Sequence, residues 1–64
     1  MSMTVSEQII IGMRRVGISR KELALRIGMS ESSLRSRLSH PEWFRLVELR
    51  KIARILGQEL EVTV

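Results

Sequence analysis

The chain has 64 residues, 44% hydrophobic and 28% charged, enough for one folded domain (1–64) and too short to enclose an active site in a large core. It has no cysteine, which removes disulfides, thiolate nucleophiles and cysteine zinc sites together; its longest apolar run, Ile9-Ile10-Ile11, is too short for a membrane span or a secretory signal core. Net charge is +4, unevenly spread: all 11 basic residues lie between Arg14 and Arg54, opposed there only by Glu22, Glu31, Glu42 and Glu48, so this middle carries +7 between acidic ends.

Such a distribution predicts a polyanion partner, most simply nucleic acid, in a cytoplasmic protein. Nine of the cations are arginine, whose guanidinium forks onto phosphate and guanine. A merely soluble basic domain is the plainer alternative on charge alone.

Glycines and one proline divide the chain into four helical segments and a tail. From Ser6, expected as N-cap, Ile9, Ile10, Met13 and Val16 recur at helical spacing until Gly17, and Gly12 within this run permits close packing. Ser19-Arg20-Lys21-Glu22 fits a capping box opening a second helix, with Leu23, Ala24 and Ile27 inward and Gly28 ending it. Ser30 caps a third helix that begins with Glu31 and stops near Ser39, because a residue before proline, here His40 before Pro41, is pushed out of helical geometry.

A fourth helix is expected from Trp43 or Phe44 to Leu56, with Leu46, Leu49, Ile52, Ala53 and Leu56 inward and Gly57 at its end. The two aromatics are expected to plug the core beneath the loop between the third and fourth helices. In the tail, Leu60, Val62 and Val64 alternate with Glu59, Glu61 and Thr63, the two-residue period of a half-buried strand over 59–64.

Two short helices joined by Gly28, Met29 and Ser30 predict the crossed pair of a helix-turn-helix at about 19–39. The run Ile18-Ser19-Arg20-Lys21-Glu22-Leu23-Ala24-Leu25-Arg26-Ile27-Gly28-Met29-Ser30-Glu31-Ser32-Ser33-Leu34 resembles the helix-turn-helix of the Cro and phage-repressor family. In that family a small residue matching Ala24 lets the helices touch, a glycine matching Gly28 makes the turn, and apolar residues matching Leu23, Ile27, Met29 and Leu34 hold the pair. The resemblance covers roughly residues 6 to 57. It implies an all-α, lambda-repressor-like domain of four helices, here with a short C-terminal strand, acting as a Cro-like repressor of phage or mobile-element type on double-stranded DNA. Two departures stand out: Arg20 occupies the place where the family often has a bracing glutamine, and the apparent strand replaces the fifth helix of many members. The strand is similar to the smaller Cro-like members, which pair through a terminal strand, so Leu60, Val62 and Val64 are the expected dimerisation residues of a homodimer on a near-palindromic operator.

At about 100° per residue, with Leu34 and Leu38 buried, Ser36 points away from the core. Ser32, Ser33 and Ser39 lie beside it, and Arg35 and Arg37 project to opposite flanks. Ser32, Arg35, Ser36 and Ser39 are therefore the expected base contacts, and Arg20, Arg37 and Arg45 the expected phosphate contacts, Arg45 because a helix N-terminus adds free N–H groups. Serine reads bases unselectively, so DNA shape supplies part of the specificity. Glu31 and Arg35 are spaced for a helix ion pair, and Glu31 either accepts from a cytosine or discourages wrong sites. Arg14, Arg15, Arg26, Arg50 and Arg54 are read as solvated helix faces, and His40 as a loop residue.

No catalytic constellation is present: one histidine, no cysteine and no aspartate leave no acid–base pair, and no glycine loop cradles phosphate. No cofactor, metal, small-molecule ligand or membrane partner is expected, and the chain is not expected to be an enzyme. Two rival readings remain open. One is a protein-binding adaptor on the same fold, antitoxin-like or an anti-activator. The other is a domain cut from a longer repressor, whose tail would be a linker stub; the alternation in Leu60–Val64 weighs against it.

Overall fold

The computed structural model describes residues 3–62, which form four helices: α1 (Val5–Val16), α2 (Arg20–Ile27), α3 (Glu31–Ser39) and α4 (Leu46–Leu56), with a 3-10 turn at Pro41–Trp43. The domain is all-helical, and no strand forms among the described residues. No helix among them is long and apolar enough to cross a membrane.

Side-chain caps decide where the helices begin. The N-cap of α1 is Thr4, not Ser6: the Thr4 hydroxyl accepts from Glu7 N–H at 3.2 Å while the Glu7 carboxylate accepts from Thr4 N–H at 2.9 Å. This reciprocal box brings Val5 and Ser6 into the helix, where both are buried, and Val5 joins the core. Ser19 caps α2 through Glu22 N–H at 3.1 Å, but the Glu22 carboxylate turns to Arg26 at 2.6 Å instead of back to Ser19. Ser30 caps α3 as expected.

The turn between α2 and α3 depends on Gly28, whose φ of +82° is strained for a side-chain-bearing residue. That conformation lets Gly28 N–H donate to the Ala24 and Leu25 carbonyls, and Met29 N–H to Ala24, which satisfies both of those acceptors at the end of α2.

Leu23, Ala24, Ile27 and Leu34 are buried between α2 and α3, and α4 packs on both α1 and α2 through Leu49, Ile52 and Leu56. The expected fourth helix is shorter at its start. Pro41 nucleates the 3-10 turn, and the chain is extended at Phe44 and Arg45 before α4 begins. The break separates the aromatics: Phe44 is buried at 9% exposure, whereas Trp43, expected in the core, is 55% exposed and stacks on His40 with ring centroids 4.2 Å apart. It also turns Leu46 outward, at 58% exposure, against the inward expectation. Val16 is likewise exposed.

The expected strand over 59–64 is not formed through Val62, and Thr63 and Val64 lie outside the described residues. A lone extended segment has no backbone partner from which to build a ladder. Gln8 takes that place, as its side-chain amide donates to the Glu61 carbonyl at 2.9 Å and accepts from Glu61 N–H at 2.8 Å.

Candidate nucleic-acid interface

The outer face of α3 matches the angular reading. Leu34 is fully buried and Leu38 half-buried, while Ser32, Arg35, Ser36 and Ser39 are all exposed. The Ser36 and Ser39 hydroxyls make no side-chain hydrogen bond among the described residues. The Ser30 hydroxyl donates to Ser33 at 2.9 Å and lies 3.2 Å from Ser32, so the first turn of α3 carries a small hydroxyl cluster. The Arg35 guanidinium lies 3.5 Å from the Glu31 carboxylate, both side chains being largely exposed. Such a pair is worth only a few tenths of a kcal/mol, roughly 0.3–0.5, and leaves Arg35 free to turn to a stronger acceptor.

Arg37 is placed differently. Its Nε donates to Glu48 Oε1 at 3.1 Å and its terminal nitrogen to the Ser33 carbonyl at 3.4 Å, with the Arg37 and Glu48 side chains 23% and 14% exposed. The same Glu48 oxygen accepts from Arg45 N–H at 2.9 Å. One carboxylate thus fastens α3 to α4 and caps the start of α4, a position where arginine has no acceptor of its own to offer. Arg37, expected at phosphate, is a structural tie between helices.

Arg20 and Arg45, the other two expected phosphate contacts, are exposed at the starts of α2 and α4. Neither side chain makes an ion pair among the described residues, and the same holds for Arg14, Lys21, Arg50, Lys51 and Arg54. Arg14 and Arg20 flank an open cleft of about 170 Å³ between α1 and α2, walled by Ile10, Met13 and Ile18. No group of three His, Cys, Asp or Glu side chains gathers as a metal site among the described residues.

The chain matches no family model, no curated protein and no solved structure. The resemblance of residues 18–34 to the Cro and phage-repressor motif therefore rests on those residues alone.

Two polar side chains with fixed roles were not singled out by sequence reasoning. Gln8 carries the tail, and Arg15, read as a solvated cation, donates to the Leu56 carbonyl at 2.7 Å and to Gln58 Oε1 at 2.6 Å. Gln58 Nε2 in turn donates to the Gln8 carbonyl at 3.4 Å. Gly12 makes the room: a Cβ there would lie 2.9 Å from both Gln58 Oε1 and Leu56 Cδ1. The partners are 41 to 53 residues apart, so no local pattern signals them.

Proposed function

We propose that this chain is a sequence-specific duplex-DNA-binding regulator, a Cro-like repressor of phage or mobile-element type on a lambda-repressor-like helix-turn-helix, and not an enzyme. The observation that carries the reading is the exposed face of α3, where Ser32, Arg35, Ser36 and Ser39 stand together beyond a buried Leu34. Small hydroxyl side chains let a helix approach the floor of the major groove, and Arg35 supplies a fork for guanine O6 and N7. Arg20 and Arg45 act on phosphates at the starts of α2 and α4, where the helix dipoles add to their charge.

The working species is a homodimer. The longest dimension of the chain is 30 Å and it presents one α3, whereas two successive major grooves are about 34 Å apart. Leu60, Val62 and Val64 supply the contact, the tail completing its strand only across the two-fold axis, and the operator is a near-palindrome. The test is selection from a random pool of duplex DNA, followed by titration of the winner against salt. Enrichment of a palindromic motif and a steep loss of affinity with salt are the expected results. A pool that enriches no motif overturns the reading and favours a protein-binding adaptor.

A further inference from the structure

The cleft between α1 and α2 is built from one stripe of the first helix and the start of the second. Met13 and Arg14 follow Ile10 by three and four residues on α1, and across from them stand Ile18 in the turn and Arg20 as the first residue of α2. The fold holds the floor in place. The Met13 carbonyl accepts from Gly17 N–H at 2.8 Å and from Ile18 N–H at 3.0 Å, which closes the turn; Ile18 packs against the core, and Met13 is itself a core residue. Ile10 is half-buried, so apolar surface at the base stays open to solvent.

The rim is cationic, and no anion lines the cleft. Arg26 and Arg35 each pair with a glutamate four residues back along their own helix. Arg14 and Arg20 have no acid three or four residues away in either direction, and neither forms an ion pair among the described residues. An exposed apolar floor between two unpaired guanidiniums suits an occupant that is apolar at its centre and anionic at its edges. Size narrows the choice. An apolar cavity of about 150 Å³ takes one benzene ring, and the cleft offers about 170 Å³, room for one large apolar side chain. Sites that hold a whole small ligand run to roughly 300–1,000 Å³ and bury most of it, whereas this cleft is smaller and open. A nucleic-acid backbone would match the arginines but leave the floor wet.

We propose that this cleft is a docking site for an acidic segment of a partner protein, which inserts one leucine or phenylalanine side chain between Ile10, Met13 and Ile18 and sets flanking carboxylates on Arg14 and Arg20. The inserted side chain removes apolar surface from water on both partners. The thioether of Met13 adapts to a branched or an aromatic knob, and each guanidinium offers a planar fork of N–H donors to a carboxylate. The site takes no residue from α3. Arg20, however, belongs to two surfaces. On the duplex-DNA reading above, on which this consequence alone rests, an occupied cleft withdraws Arg20 from phosphate, so the partner and DNA compete.

The probe is a short fluorescein-labelled peptide with one central leucine and two glutamates on either side, titrated into the chain without DNA. Anisotropy reads its affinity and methyl NMR its location. The methyl signals of Ile10, Met13 and Ile18 are expected to shift, while those of Ile52 and Ile55 on α4 stay in place. Serine for the peptide's leucine should weaken binding about tenfold, and glutamine for its glutamates at least about fivefold at low salt. Arg14→Ala should weaken it by roughly three- to tenfold, whereas Arg50→Ala, an equal loss of charge on α4, should leave it within about twofold. Both arginines are exposed, and thermal unfolding by circular dichroism confirms that each variant is folded. No binding at millimolar peptide, a serine peptide that binds as well, shifts confined to α4, or equal losses in Arg14→Ala and Arg50→Ala each overturns the proposal. Octanoate that gives the same shifts at the same affinity also overturns it, in favour of a small-molecule site. On a selected duplex, saturating peptide should weaken DNA binding at least about threefold, and an unchanged affinity overturns the shared role of Arg20. A chain that enriches a DNA motif but ignores the peptide defeats this site and leaves DNA binding standing; one that binds the peptide in the cleft and enriches no motif does the reverse.

Discussion

Replacing Arg37 by alanine separates its two possible roles. The arginine lies between α3 and α4 with Glu48 Oε1 3.1 Å from its Nε, and the pair is mostly buried, at 23% and 14% exposure. Breaking a fully buried pair costs roughly 3–5 kcal/mol, because the survivor is left desolvated and uncompensated, while exposed pairs contribute about 0.2–1 kcal/mol. Here Glu48 keeps the Arg45 N–H at 2.9 Å and some water, which puts the cost of Arg37→Ala at about 1–2 kcal/mol. A chain of this length holds roughly 3–10 kcal/mol in all, so the loss is a large fraction of it. The melting temperature should fall by roughly 5–15 °C. Thermal unfolding by circular dichroism measures this, and DNA binding is then compared at a temperature where both proteins are folded. There the salt slope should be unchanged, because the Arg37 guanidinium is held by Glu48 and the Ser33 carbonyl. A variant of wild-type stability whose salt slope drops by about one unit would refute the reasoning and return Arg37 to the phosphate contacts.

Arg20→Ala and Arg45→Ala should do the opposite: each leaves the melting temperature nearly unchanged, weakens all DNA sequences alike and flattens the salt slope by about one unit, as read from binding isotherms at several salt concentrations. Arg35→Ala should cost about 1–3 kcal/mol at the preferred operator and relax preference at one base position, which repeated selection on the variant would reveal; uniform weakening would reassign Arg35 to phosphate. Gly12→Ala should destabilise the fold, since its methyl meets Gln58 and Leu56 at 2.9 Å, and a variant as stable as wild type in urea would show that the tail yields freely. The Thr4 N–H and hydroxyl hold the Glu7 carboxyl below its ordinary value near 4.5. A lowered folded value favours the ionised form, so this box stabilises above that ordinary value and the gain is lost as pH falls through the lowered one. Thr4→Ala should therefore lose stability at neutral pH, with part of the gap to wild type closing in acid; a gap that does not change with pH would contradict the carboxylate's part in the cap.

What was legible in the sequence is what local spacing controls. Gly28, Ser30 and the apolar residues Leu23, Ala24, Ile27 and Leu34 lie where the sequence predicts, because caps, turns and helical periodicity act within a few residues. Two of the expectations that failed are competitions between two legible signals. Thr4 and Ser6 both suit an N-cap, and Thr4 prevails because only it has a glutamate three residues on, at Glu7. Trp43 and Phe44 both suit a core, and the 3-10 turn started by Pro41 admits one and leaves the other on the surface.

The cations show where local reasoning stops. Arg26 and Arg35 pair four residues back along their own helices, which spacing alone predicts. Arg15 and Arg37 look no different in sequence, yet each reaches a partner on another element: a helix-end carbonyl at Leu56 for one, a doubly used carboxylate at Glu48 for the other. Both acceptors become available only once α4 has packed, so no window of the sequence contains the information. Setting aside Arg15, read as a solvated cation, and Arg37, expected at phosphate, sharpens the electrostatic argument. The unpaired charge is concentrated at the starts of α2 and α4 and along the outer side of α4, while Glu59 and Glu61 are in the tail beside α1. On the DNA-binding reading proposed above, a polyanion is drawn to the first set and repelled by the second, a polarity that would orient the chain on DNA before any base is read.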